Sequence, residues 1–404
     1  MELVTHKTLY LVAGRASRPL AEEIAEELGE KLGEPNLAEF ANGEIHCRFG
    51  ESIRGCDAFI IQSHGSSDES SINDTLMEQL IMVDAARRAS AKRITAVCPH
   101  YGYARQDRKS SGREPITAKL VANMFAAAGA SRLVGVDLHS GQIQGFFDGP
   151  VDHLTAMPVL IDHLSSLEGD LVIVSPDAGR VKVAERYANL LGADLAIIHK
   201  RRSETAFNSV EAKEVVGEVD GKVCVLVDDM IDTAGTICAA ADQLTQRGAA
   251  RVIAATTHGV FSGSALERLT ASSIEKVIVT NTLPLPDDAD PDLVEVLSIA
   301  PLVARAIDAV FEDTSVSEIF DHAPRTREKH SPWTRSCSPR PPAAPPAPGP
   351  AAACAARAAS PPSCTASTRT PCPSRSSGPT CAGPSPPTPA STPSSRSTST
   401  ATGT

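Results

Sequence analysis

Residues Val223–Thr236 read VCVLVDDMIDTAGT. Five small or branched apolar residues run straight into two neighbouring carboxylates. Asp232 follows, with two threonines, an alanine and a glycine after it. A short, uninterrupted apolar run reads as a strand buried on both faces, and such strands belong to parallel sheets covered by helices. The next residues, TICAAADQL, carry helical spacing, so Asp232–Thr236 is a strand-to-helix turn.

In an open parallel sheet, ligands gather at the carboxyl ends of the strands. Backbone N–H groups at the start of the following helix, together with its dipole, favour an anion there. Ala234 and Gly235 allow a phosphate to approach the main chain, and Thr233 and Thr236 supply hydroxyl donors. Asp228 and Asp229 suit the hydroxyls of a sugar, directly or through a metal ion. A monoester phosphate beside a diol describes ribose 5-phosphate.

The same rhythm runs along most of the chain. Apolar runs at Leu9–Gly14, Asp57–Ser63, Arg93–His100 and Arg132–His139 alternate with helical stretches such as INDTLMEQLIMVDAARRA and ITAKLVANMFAAAG. The second half repeats it with LVIVSPD, LAIIHK, CVLVDD, VIAATTHGV and KVIVTNT. Two tandem α/β domains with helix-covered parallel sheets are expected, over 1–150 and 151–321, with the boundary near Pro150.

Charge is unevenly distributed over the 404 residues. From His322 onward there are nine Lys/Arg and one acidic residue, so the preceding 321 residues hold about −19 of a total of −11. A body that acidic argues against nucleic-acid binding through bulk electrostatics. Five cysteines (Cys47, Cys56, Cys98, Cys224 and Cys238) are scattered through it without pair or zinc spacing, as expected of reduced thiols. The N-terminal run LYLVAG is too short for a signal segment or a membrane span, which points to the cytoplasm.

VDDMIDTAGT resembles the signature loop shared by type I phosphoribosyltransferases and ribose-phosphate diphosphokinases (phosphoribosyl pyrophosphate synthetases), and alone it does not choose between them. Other segments do. YARQDRK (Tyr103–Lys109) is similar to the synthetases' ATP segment, which implies nucleotide contacts for Arg105 and Gln106; an enzyme that consumes the finished pyrophosphate donor has no use for it. FANGEI (Phe40–Ile45) resembles their adenine-side loop, with Phe40 beside the base and Asn42, Gly43 and Glu44 near its polar edge. Relatives often carry Asp where Asn42 stands. DLHSGQIQGFFDGPVDHL (Asp137–Leu154) implies His139 as a ligand of the Mg²⁺ on the ATP phosphates. SPDAGRVKVAE (Ser175–Glu185) implies Asp177 as a second metal-linked carboxylate; many relatives have a second glycine where Arg180 stands. HKRRSETAFNS (His199–Ser209) matches the mobile catalytic loop, with Lys200 and Arg202 as its basic pair and Arg202 also near ribose 5-phosphate.

The resemblance covers roughly residues 8–321, with its motifs in family order. It implies two phosphoribosyltransferase-like domains and Mg²⁺-dependent transfer of a diphosphoryl group from ATP to ribose 5-phosphate. It also implies a homohexamer and regulation by phosphate and ADP, for which Ser52, Arg54 and Arg113 are the candidate residues. A catalytically silent homologue would be expected to lose pieces that are present here: Lys200, Arg202, His139 and the Asp232–Thr236 loop.

Beyond Asp321 the composition changes abruptly, and 19 of the chain's 30 prolines lie in 322–404 among Ser, Thr, Ala and Arg. Such a segment has little to bury and is expected to be disordered. Deleting the residues after Asp321 should leave the specific activity of AMP formation close to that of the full chain; a large loss would give the tail a part in function.

Overall fold

The first strands, β1 (Leu9–Ala13), β2 (Leu32–Gly33), β3 (Pro35–Glu39), β4 (Ile45–Phe49), β5 (Asp57–Ile61), β6 (Arg93–Cys98), β7 (Arg132–Val136) and β8 (Val151–Leu154), are joined through helices α1 (Arg18–Leu28), α2 (Ile72–Arg88) and α3 (Thr117–Ala128). Then follow α4 (Met157–Leu164), β9 (Leu171–Ser175), α5 (Val181–Leu191), β10 (Asp194–Arg201), β11 (Ala212–Val216), β12 (Val223–Ile231) and α6 (Gly235–Gln246). The chain continues through β13 (Arg251–Gly259), α7 (Ala265–Thr270), β14 (Lys276–Thr280), β15 (Val294–Leu297) and α8 (Ala300–Phe311). This computed structural model describes residues 7–67, 70–201 and 212–317, with the backbone alone at 200–201 and 212–213. Arg202 and the tail 322–404 lie outside the described residues.

One sheet has the order β2-β1-β5-β6-β7-β8 and the other β11-β10-β9-β12-β13-β14-β15. Neighbours are parallel in both, except that β10 and β11 are antiparallel. In each sheet the chain starts centrally, steps to one side, then crosses back and proceeds outward. Neighbouring strands that leave for opposite faces open a crevice at their carboxyl ends, and β9 with β12 form such a pair. Helix α5 packs with Val223, Val225 and Val227 on one face, whereas α6 packs with Cys224 and Leu226 on the other.

The period of two explains how near-continuous apolar strands serve two cores at once. Tyr10, Val12, Ala58 and Ile60 face α2 and α3, while Leu11, Ala13, Phe59 and Ile61 face α1 and α8. Two features bear on the division expected near Pro150. Strand β8 pairs with β7 and so extends the first sheet past that residue. Helix α8, the last in the described chain, returns to the first sheet and packs there through Leu302, Val303, Ala306 and Ile307. The β3–β4 hairpin was not foreseen, because its residues alternate between half-buried and exposed positions and lack an apolar run. Among the described residues, no helix is long and apolar enough to cross a membrane.

Polar contacts tie the two sheets' ends together. Thr257 Oγ1 donates to Asp137 Oδ2 at 2.6 Å, and His258 Nε2 donates to the carbonyl of Val136 at 3.1 Å. Ser63 Oγ donates to the carbonyl of Thr282. Nearby, His64 accepts from the Gly102 amide on Nδ1 at 2.9 Å, with Nε2 2.8 Å from Gln79 Oε1, so it is held neutral. Burial pushes His64 down to about 4 and His258 to about 3, from an ordinary 6.5, and lowers His100 as well. These rings take up protons in the unfolded chain but not in the fold, so below pH 6.5 the unfolded state binds more protons and stability falls with pH. The urea midpoint should therefore drop as pH falls from 6.5 toward 4. His258→Gln should flatten the stability slope below pH 6.5 by up to about 1.4 kcal/mol per pH unit. An unchanged slope would mean that His258 is protonated in the fold.

Candidate active site

Strand β12 supplies the centre of the site. Val223–Val227 are buried, whereas Asp228, Asp229 and Met230 emerge half-buried at its carboxyl end. The chain turns through Asp232, Thr233 and Ala234 and enters α6 at Gly235. Ala234 is buried with φ of 60°, a left-handed backbone uncommon outside glycine and typical of constrained functional turns. A Cβ placed on Gly235 would meet nothing nearer than Thr233 Oγ1 at 4.0 Å, so the space over this backbone is open. Thr233, Gly235 and Thr236 are exposed around it. From behind, Arg268 Nη1 donates to the carbonyl of Thr233 at 2.7 Å, leaving the helix-start amides free to face an anion.

Asp228 and Asp229 are engaged with two cationic or donor side chains from elsewhere. Arg180, at the start of α5, places Nε 3.1 Å from Asp228 Oδ1 and pairs through Nη2 with Asp229 Oδ2. His139, which follows β7, approaches the same Asp229 Oδ2 through Nδ1 at 2.7 Å. The Asp229 amide donates to Asp228 Oδ1 at 2.8 Å. Burial, reinforced by the neighbouring Asp229 charge, pushes the Asp228 carboxyl well above the usual range. Burial acts the same way on Asp229, but the His139 hydrogen bond and the Arg180 charge outweigh it and hold that carboxyl below the usual range.

The donor chemistry bears on Mg²⁺. A metal-binding histidine commonly donates its other ring N–H to a carboxylate, which fixes the tautomer. His139 Nδ1 lies 2.7 Å from Asp229 Oδ2 and 3.3 Å from Arg180 Nη2, and a ring that donates to Asp229 has Nε2 left to accept or ligate. Asp177 is exposed, and its Oδ1 accepts from the amides of Gly179 at 2.8 Å and Arg180 at 3.1 Å. Among the described residues, no three or more His, Cys, Asp or Glu side chains cluster to hold an ion. Mg²⁺ retains waters and needs only one or two protein groups when phosphates complete its shell, so His139 and Asp177 fit a substrate-borne ion and not a resident one.

The nucleotide-side residues divide into two places. Arg105, in the loop after β6, reaches across to pair with Asp232 Oδ2, joining the expected ATP segment to the phosphate turn. Gln106 Oε1 accepts from Thr117 Oγ1 at the start of α3. Phe40, Asn42, Gly43 and Glu44 form the tip of the β3–β4 hairpin, closed by Gly43 N to the Phe40 carbonyl at 2.8 Å and Glu44 N to Asn42 Oδ1 at 3.2 Å. The Phe40 ring is 58% exposed, a large apolar face open to a flat partner. No contact among the described residues joins this tip to Arg105 or Gln106. Ser52, Arg54 and Arg113 are all exposed. Lys200 lies in β10 opposite Lys213 of β11, near the end of the strand, and only its backbone is described; Arg202 lies outside the described residues.

Two participants escaped the sequence reading. Arg180 stood out in the sequence only as a departure from the glycine of many relatives, and its ion pairs with the β12 carboxylates could only be seen in space. Asp137 accepts from the Ala156 amide at 2.9 Å and from Thr257, which steadies the turn that presents His139. Its place two residues before His139 in the DLHSGQ string was the available signal.

Twin helix-covered parallel sheets with a strand-to-helix turn and a carboxylate pair at the end of a buried strand define a protein of the phosphoribosyltransferase-like fold. The sequence pattern described as the N-terminal domain of ribose phosphate pyrophosphokinase matches residues 9–129, and that of the phosphoribosyl synthetase-associated domain matches 211–321. The ribose-phosphate pyrophosphokinase of Streptomyces coelicolor is 54% identical over 317 residues, which is 78% of this chain and 97% of that protein. That of Corynebacterium glutamicum is 54% identical over 318 residues, 78% of this chain and 96% of its own. The crystal structure of phosphoribosylpyrophosphate synthetase from Mycobacterium smegmatis superposes with a TM-score of 0.71 at 53% identity, covering 76% of this chain and all of that one. The chain belongs to the ribose-phosphate pyrophosphokinase family.

Proposed function

We propose that the chain transfers the diphosphoryl group of ATP to the 1-hydroxyl of ribose 5-phosphate, giving AMP and 5-phosphoribosyl 1-diphosphate. The observation that carries this reading is the meeting of Arg105 with Asp232, which puts a nucleotide-side cation at the rim of the sugar-phosphate turn. The 5-phosphate sits on the amides of Asp232–Thr236, and Asp228 and Asp229 take the sugar hydroxyls. Arg105 exchanges Asp232 for phosphate oxygens when ATP enters, and its guanidinium also offers a flat face to the base. Gln106 assists on that side. Phe40, Asn42, Gly43 and Glu44 receive adenine; their hairpin tip is exposed and, among the described residues, makes no contact with Arg105 or Gln106, which supports a site completed by a second copy in a homo-oligomer, with a hexamer as the family-like form.

In the reaction the sugar O1 bonds to the β-phosphorus as the bond from that phosphorus to the α-bridging oxygen breaks, and the hydroxyl proton is released. Negative charge spreads over the transferred phosphoryl oxygens, so pre-placed cations supply most of the acceleration. Lys200, near the end of β10, and Arg202, just beyond it, are assigned to this role, and closing over the site would also keep water from the β-phosphorus. Mg²⁺, held by His139 Nε2 and Asp177 together with ATP phosphates and water, would withdraw charge from the phosphates. Phosphate and ADP are assigned as effectors near Ser52, Arg54 and Arg113. A reducing, cytoplasmic setting is in keeping with Cys47, Cys56, Cys98, Cys224 and Cys238, all of which are free.

Purified protein given ATP, ribose 5-phosphate and Mg²⁺ should release AMP, with no release when the sugar phosphate is omitted. A chain that forms no AMP under those conditions does not carry this activity. Lys200→Ala is expected to lower turnover by orders of magnitude while ribose 5-phosphate still binds; normal turnover would remove Lys200 from the chemistry. Asp228→Ala should weaken ribose 5-phosphate binding about 10- to 100-fold, the range for losing a charged hydrogen bond. An unaltered dissociation constant by calorimetry would contradict its assignment to the sugar.

A further inference from the structure

The Arg180 guanidinium occupies a place that the known activity does not explain. Its backbone is fixed, since Asp177 Oδ1 accepts from the amides of Gly179 and Arg180 and Ser175 Oγ donates to the Asp177 carbonyl at 2.6 Å. From that anchor at the exit of β9 the side chain crosses to the exit of β12, where it touches both carboxylates and is 18% exposed. Its shortest contacts are to Asp228 Oδ1, which also accepts from the Asp229 amide, and to Asp229 Oδ2, which His139 also approaches. Among the described residues, no backbone amide, hydroxyl or imidazole donates to Asp228 Oδ2 or Asp229 Oδ1. One such oxygen on each of two neighbouring acids is what two adjacent sugar hydroxyls need.

We propose that Arg180 is a built-in counter-cation of the Asp228–Asp229 pair, a positioning residue that lets this pocket take ribose 5-phosphate without a divalent ion on those carboxylates. This rests on the assignment of the two acids to the sugar. A phosphate monoester entering the neighbouring turn meets two carboxylates, and in the absence of compensation their repulsion opposes it. A guanidinium keeps its charge at any working pH, and being covalently attached it does not depend on metal concentration. The same positive charge, in contact with both acids, repels a divalent ion from them. The carboxylates are therefore poor metal ligands in this chain, and any ion is left to His139, Asp177 and the phosphates.

Calorimetric titration with ribose 5-phosphate, in EDTA and in Mg²⁺, separates the possibilities for the full-length protein, R180G, R180Q and R180K. The unaltered protein should bind in EDTA within a few-fold of its affinity in Mg²⁺. R180G and R180Q should bind at least about tenfold more weakly in EDTA and recover part of the loss in Mg²⁺, while R180K, which keeps the charge, should lose less. Free Mn²⁺, followed by its electron paramagnetic resonance signal without substrate, should bind severalfold more tightly to R180G and R180Q than to the unaltered protein. Equal binding of the sugar phosphate by all four proteins in EDTA overturns the inference, as does unchanged Mn²⁺ affinity in both neutral variants. Failure of the unaltered protein to bind ribose 5-phosphate even with Mg²⁺ overturns the sugar assignment itself, and this inference with it.

Discussion

Two carboxylates side by side at the end of a buried strand repel one another and lose hydration together. Asp228 and Asp229 are tolerated because β9 and β12 pair in register and then diverge to opposite faces of the sheet, which brings Arg180 from one exit against the acids of the other. Breaking one partner of a part-buried charged cluster generally costs more than the cluster contributes, because the remaining charge is left without compensation. The crevice is therefore held by one set of ion pairs, and the same pairs engage the carboxylates assigned to the sugar.

The second sheet does not complete the site alone. His139 and Arg105 both come from the first, as the residues after β7 and β6, and each reaches a carboxylate that belongs to β12 or the turn beyond it. The seam behind them is buried and polar. Thr257, His258 and Ser63 bond across it, and the buried histidine rings are kept neutral by their partners and their burial. Helix α8 adds an apolar tie by returning to the first sheet. A seam built this way holds His139 and Arg105 at a fixed reach while the exposed hairpin tip remains outside it.

Electrostatics sharpens the point. A body carrying about −19 repels anionic substrates at long range. Both proposed substrates are phosphate anions, so attraction has to be local, and the candidates are the amides and dipole at the start of α6 and the Arg105 fork, beside the proposed basic pair Lys200 and Arg202. Arg180 belongs with these, although its charge is already spent on the two acids it touches.

Much of this was legible in the linear chain. Apolar runs of five residues ending in acids, with helical spacing after them, specify parallel strands and the turns that follow, because period and burial are local properties of sequence. The turn Asp232–Thr236, the carboxylates before it and the motif string around His139 are of that kind, since their chemistry depends on neighbours a few residues away. The amphipathic hairpin carrying Phe40 was not legible, for its strands bury only alternate side chains partway. Strand β8 and helix α8 also join the first sheet from beyond the expected division, and for α8 the packing partners lie hundreds of residues away, which leaves no periodic trace. The contacts of Arg180 with Asp228 and Asp229, of His139 with Asp229 and of Arg105 with Asp232 were decided by strand order and sheet pairing alone. Sequence names the groups available for chemistry, but the distances between charges, and so which of them neutralise each other, exist only once the strands have found their neighbours.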